Sequence, residues 1–152
     1  AGPRPLVSIA FSAGAYCFTE LLALGRPSFS AAAIGGLHGH GQSELVGIPK
    51  KYQEDCVQKF ETYLARLAAH PGIPGGLFAM HAENDKWSPK KYALEVLDVL
   101  ASRNVECGCP RVRLHLLEVG GSKAGHDYED KAIWQPEIVA DLLEACSGRE
   151  TG

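Results

Sequence analysis

Residues able to do nucleophilic or acid–base chemistry, and one glycine-rich loop, sit at the ends of four separate apolar runs: Ser12 after PLVSIAF, the Gly36–Gly41 loop at the end of SAAAIGGL, Asp85 after GLFAMH and His126 after VRLHLLEV. A serine hydroxyl is a poor nucleophile unless a base takes its proton, a third group orients that base, and donors receive the oxyanion. A strand-to-helix turn at Ser12 supplies part of this by geometry. It lifts the hydroxyl out of the sheet and sets the Ala13 N–H at a helix N-terminus, where developing negative charge is stabilised. Such a turn needs small flanking residues, and Ala10 and Gly14 provide them in A-F-S-A-G. A serine that only caps a helix would read similarly.

The elements that must position these residues are legible as alternating patterns. Pro5–Phe11, Ser30–Leu37, Gly76–His81 and Val112–Val119 are short, apolar and bounded by turn residues, as buried parallel strands are. Helices are expected between them. Ala13–Leu24 stops at Gly25 and Pro27, and Pro89–Arg103 starts at a proline suited to a first turn. In 49–69, Tyr52, Cys56, Phe60, Tyr63, Leu64 and Leu67 form one stripe, and His70-Pro71 ends it. A last helix is expected near 135–146, with Ile138, Val139, Leu142 and Leu143 inward. Strand–helix alternation of this kind predicts an α/β fold: a parallel sheet of about four strands with right-handed crossovers, covered on both faces. Ligands bind beyond the carboxyl ends of such strands, where Ser12, the Gly36–Gly41 loop, Asp85 and His126 all fall.

A-F-S-A-G resembles the G-x-S-x-G nucleophile elbow of the α/β-hydrolase superfamily, with Ala10 in place of the first glycine. The segment His81–Pro89 (HAENDKWSP) is similar to the family's H-G-x-x-D-x-x-V-P, with Ala82 for glycine and Ser88 for valine. The loop GSKAGHDYED is similar to the loop that carries the family's histidine. The resemblance implies a triad of Ser12 as nucleophile, His126 as base and Asp85 as acid, in the family's chain order, with the Ala13 N–H as one oxyanion donor. The activity it implies is hydrolysis of carboxylic esters or related acyl compounds, without cofactor or metal. Asp85 could instead be a plain turn residue, and Glu83 is the nearest rival carboxylate. Phe11, His38, Trp87 and Tyr128 flank the triad positions and could wall a substrate pocket; Trp87 and Tyr128 could equally pack their loops.

Other features carry less. His38 and His40 sit two apart in a glycine-rich loop, but zinc needs at least three convergent ligands and no third is identifiable. Cys107-Gly-Cys109 lacks the C-x-x-C spacing of common redox and zinc motifs and reads as two ordinary loop cysteines. Cys17 reads as core, His115 and His70 as structural or exposed, and His81 as ordering its loop. A net charge of -3 gives no basic footprint for nucleic acid, and no apolar run reaches membrane-span length. Five scattered cysteines, an odd number, favour a reducing, cytoplasmic compartment over a disulfide framework.

The resemblance begins at the family's nucleophile strand. It implies that residues 1–152 are a single partial domain, the family's strands five to eight, lacking the N-terminal half and the loop that provides a second oxyanion donor. Pro5–Phe11 would then expose an apolar edge, prone to self-association or to pairing with the missing half. The alternative reading is a catalytically silent hydrolase-like fragment that serves as a binding or interaction module.

Overall fold

Strands and helices alternate through the described residues (4–25, 28–37, 53–117, 125–126 and 140–144) of a computed structural model. In order they are β1 (Val7–Phe11), α1 (Ala13–Ala23), β2 (Ala31–Gly35), α2 (Gln53–Leu67), β3 (Leu77–Ala82), α3 (Lys90–Glu106) and β4 (Arg113–Leu117). Residues 140–144 are also helical. All strand pairs are parallel, in the spatial order β1-β2-β3-β4. The α/β fold expected from the alternation is the fold observed. The ends of the elements differ from expectation by a few residues. Tyr52, Ile138 and Val139 lie outside the described residues, as does the Cys56 side chain.

Strand residues alternate between the two faces, and their partners divide accordingly. On one face Ala32, Ile34, Leu77 and Ala79 pack against Ala15, Phe18 and Leu22 of α1, Phe60, Tyr63 and Leu67 of α2, and Val96, Leu97 and Leu100 of α3. On the other, Ala31, Ala33, Met80 and Ala82 meet Leu142, with Val7, Phe11 and Phe78 half-buried beside them. Two core assignments are corrected here. Cys17 is exposed, because the inward face of α1 is set by Ala15, Phe18, Thr19 and Leu22, and position 17 points away from it. Leu143 is 57% exposed while its neighbour Leu142 is buried, since adjacent helical residues are splayed by about 100°.

The α3 C-terminus is locked by backbone geometry. Gly108 is left-handed (φ +70°), its N–H donates to the Val105 carbonyl (3.0 Å), and the Cys109 N–H donates to that of Asn104 (2.8 Å). This is a Schellman cap with the glycine at the position that needs positive φ. Asn104, fully buried, accepts from the Ile73 N–H (2.8 Å) and donates to the Pro110 carbonyl (2.9 Å), joining this cap to the lead-ins of β3 and β4. His70 is buried rather than exposed. Its Nδ1 accepts from the Gly72 N–H (2.9 Å), and its Nε2 faces the Leu100 carbonyl (3.4 Å). These ties rigidify the end of the sheet opposite the candidate site.

Candidate active site

Ser12 occupies the one-residue junction between β1 and α1, with φ 52° and ψ −118°. It is the single non-glycine at positive φ among the described residues. Such a conformation costs about 1–3 kcal/mol and persists only where its surroundings impose it. Here the Ser12 N–H donates to the Gly35 carbonyl (2.9 Å) and its carbonyl accepts from the Tyr16 N–H (3.1 Å). The peptide groups on both sides are thereby pinned, and the side chain is turned out of the sheet. A methyl placed on Gly14 would stand 3.8 Å from the Ala10 Cβ, an ordinary contact. Ala13 is the first residue of α1, so its N–H has no intrahelical acceptor.

Asp85 lies two residues past the β3 exit and is 4% exposed. Its Oδ1 accepts the backbone N–H groups of Trp87 (2.9 Å) and Ser88 (2.8 Å), which fixes the carboxylate in a tight turn. Its Oδ2 lies 2.7 Å from His126 Nδ1. Glu83, the rival carboxylate, points to solvent and pairs with Lys90 (2.5 Å). The chain of contacts continues from His126 Nε2 to Ser12 Oγ at 2.7 Å. A carboxylate only accepts, so Nδ1 carries the proton and Nε2 is left to accept from the serine hydroxyl. The three residues that the motifs single out thus form one hydrogen-bonded line, two of them buried.

Two glycines make room for that line. Gly125 (φ +81°) lies against the turn carrying Asp85; a Cβ there would collide with the Asn84 carbonyl oxygen and come within 2.8 Å of its carbon. Gly36 (φ +58°) lies beneath the imidazole, where a Cβ would stand 3.0 Å from His126 Cε1 and 3.2 Å from Phe11 Cε2. The His126 ring is flanked by Phe11 (centroids 5.3 Å apart) and by Trp87 (5.2 Å), which remains 52% exposed. Phe11 and Trp87 are therefore brought beside the histidine, whereas His38 and Tyr128 lie outside the described residues. His81 is buried at the β3 end. Burial holds its imidazole below the ordinary histidine range, against an opposing pull from Asp85.

The residue missed by motif reasoning is Ser88, visible in the sequence only as a departure from valine. It is fully buried; its N–H holds Asp85, and its hydroxyl donates a short hydrogen bond to the Leu37 carbonyl. It ties the loop after β3 to the exit of β2. Among the described residues no group of three or more His, Cys, Asp or Glu could hold a metal ion, and no helix is long and apolar enough to cross a membrane.

The architecture is shared with solved hydrolases. An α/β hydrolase, MGS-M1, from a Medee basin deep-sea metagenome library superposes with a TM-score of 0.56 at 19% identity, over 95% of this chain and 56% of its own. The acylaminoacyl peptidase of Pyrococcus horikoshii superposes with a TM-score of 0.55 at 15% identity, over 79% of this chain and 20% of its own. An acylaminoacyl peptidase in complex with Z-Gly-Gly-Phe-chloromethyl ketone gives 0.55 at 16% identity, over 87% and 21%. This chain spans between about a fifth and about half of the lengths of these proteins. No protein-family model and no curated protein matches the sequence. The likeness establishes the α/β-hydrolase fold over the part that the chain covers.

Proposed function

We propose that the chain is a serine hydrolase acting on carboxylic esters or related acyl compounds. The observation that carries the reading is the hydrogen-bonded line Ser12 Oγ–His126 Nε2–His126 Nδ1–Asp85 Oδ2, with both contacts at 2.7 Å. Ser12 attacks the acyl carbon while His126 Nε2 takes its proton. The imidazolium so formed is stabilised by Asp85, whose carboxylate cannot swing away because two backbone N–H groups hold its other oxygen. The Ala13 N–H, at the α1 N-terminus, donates to the oxyanion. His126 then returns the proton to the leaving group, and water repeats the sequence on the acyl-enzyme. Hydrolase names among the structural neighbours support the same class of chemistry.

Labelling with a fluorophosphonate tests this. The wild type is expected to be modified at Ser12, and the Ser12→Ala variant is expected to stay unmodified at equal circular dichroism. Unlabelled but folded wild type would remove the enzyme reading for this chain.

A second reading rests on a separate observation. Among the described residues β1 is paired on one side only, and Leu6 and Ile9 beside that edge are each 41% exposed. We infer that the chain is a partial domain whose β1 edge takes a further strand from another polypeptide segment or a second copy. A catalytically silent interaction module would use the same edge. Sedimentation separates these cases from an isolated monomer, and an Ile9→Pro change, at a position whose N–H faces away from β2, should weaken any assembly.

A further inference from the structure

The pair Cys107 and Cys109 lies at the end of the sheet opposite Ser12, in the cap that closes α3. With left-handed Gly108 between them, both cysteines turn towards one neighbour. A Cβ built on Gly72 would stand 2.8 Å from Cys107 Cβ, 2.9 Å from Cys109 Sγ and 3.4 Å from Cys107 Sγ. Both sulfurs therefore crowd around a single glycine that leaves them the space. Each thiol meets only a backbone carbonyl, Cys107 Sγ that of His70 and Cys109 Sγ that of Cys107, both at 3.8 Å. Such long contacts to sulfur hold the side chains weakly. Both cysteines are free and partly exposed, so a small reagent can reach them.

We propose that Cys107 and Cys109 form a thiol–disulfide exchange site that takes low-molecular-weight disulfides. The backbone is already arranged for it. Residues two apart across a reversed turn keep their Cα atoms inside the roughly 7 Å that a bridge tolerates. The Cys107 and Cys109 N–H groups are bonded to the Arg103 (3.0 Å) and Asn104 (2.8 Å) carbonyls, so the turn that holds the two cysteines together is fixed. One thiolate attacks the external disulfide, releasing one small thiol and leaving a mixed disulfide. The second cysteine attacks the protein sulfur of that adduct, releasing the second small thiol and closing Cys107–Cys109. Overall, two protein thiols are oxidised and one external disulfide is reduced to two thiols. A ring this small removes little chain entropy from the unfolded state, so the bond is readily reopened. The site is independent of the Ser12 chemistry.

The test incubates the full chain with oxidised glutathione, traps free thiols with N-ethylmaleimide in acid and maps the peptides by mass. The peptide holding both cysteines should lose the mass of two hydrogens, carry no glutathione and recover its mass in dithiothreitol. The Cys109→Ser and Cys107→Ser variants should each stall as a glutathione adduct on the remaining cysteine. Exposed Cys17, a free thiol on α1, provides an internal control for glutathionylation at a site outside the pair. Wild-type protein in which Cys17 is glutathionylated, while Cys107 and Cys109 are recovered as separate maleimide or glutathione adducts, would overturn the proposal.

Discussion

Strain at Ser12 can be separated from its chemistry by two substitutions at the same position. Ser12→Ala and Ser12→Gly both delete the hydroxyl and its contact to His126, so both should abolish fluorophosphonate labelling. They differ only in the β-carbon, which at φ 52° and ψ −118° occupies the first central position of a mirror-image type II turn. Holding a β-carbon there costs about 1–3 kcal/mol. Glycine releases that strain but loses about 0.5–1 kcal/mol relative to alanine through the greater freedom of the unfolded chain. The Gly35 and Tyr16 hydrogen bonds are made by backbone atoms and survive in both variants. Ser12→Gly should therefore be more stable than Ser12→Ala by about 1 kcal/mol, within a range of roughly 0–2.5 kcal/mol, a rise in Tm of a few degrees for a chain of this length. Paired urea titrations and thermal melts followed by circular dichroism read the difference directly. An alanine variant more stable than the glycine variant would refute the claim that the fold forces the elbow against a conformational penalty.

Asp85→Asn keeps the bonds from the Trp87 and Ser88 N–H groups but can present an N–H to His126 Nδ1, favouring the wrong tautomer; labelling should slow by about 10⁴-fold with little change in melting. Gly36→Ala places a methyl 3.0 Å from His126 Cε1 at a left-handed position. It should cost about 1–2 kcal/mol in chemical denaturation and slow labelling up to about 100-fold by displacing the imidazole. Ser88→Val restores the family residue, yet strips the Leu37 carbonyl of its donor inside a fully buried site, so urea unfolding should show a loss of about 1–3 kcal/mol. Burial lowers the imidazole pKa of both His70 and His81. The unfolded chain then binds protons below about pH 6.5 that the folded chain resists, so stability is complete above that pH and declines below it. Each histidine contributes up to about 1.4 kcal/mol per pH unit, and protonating His70 must break the Gly72 N–H bond to Nδ1. Melts from pH 7.5 to 5 should show the decline, made shallower by His70→Gln; a flat profile would exclude the coupling.

The strands and helices were legible because their burial is periodic: Phe60, Tyr63 and Leu67 stand at helical spacing, and every strand is a short apolar run closed by turn residues. Cys17 is not legible as exposed because cysteine's general preference for burial says nothing of its angular position on α1. The Leu142–Leu143 pair shows the same limit, since an adjacent pair gives no direction until its helix is docked. Ser12, Asp85 and His126 stood out because chemistry restricts which residue types can fill those places.

The residues that position them carry no such mark. Ser12 and His126 are 114 residues apart, and what brings them within 2.7 Å is a set of contacts between loops. Gly125 rests on Asn84, Gly36 lies beneath the His126 ring, and the Ser88 hydroxyl reaches the Leu37 carbonyl. In sequence each is a common turn residue in a common setting, and its role exists only relative to a loop elsewhere in the chain. Ser88 makes the point most sharply. Against the family pattern it reads as an erosion of the motif, whereas in the fold its hydroxyl adds a bond to the Leu37 carbonyl beside the backbone N–H that any residue there offers Asp85. A polar residue can replace an apolar one in a sealed position only if both its donor and its neighbour's acceptor are satisfied together. The departure is thus part of a compensated local arrangement, which is why the triad geometry survives it and why putting valine back is expected to weaken this chain.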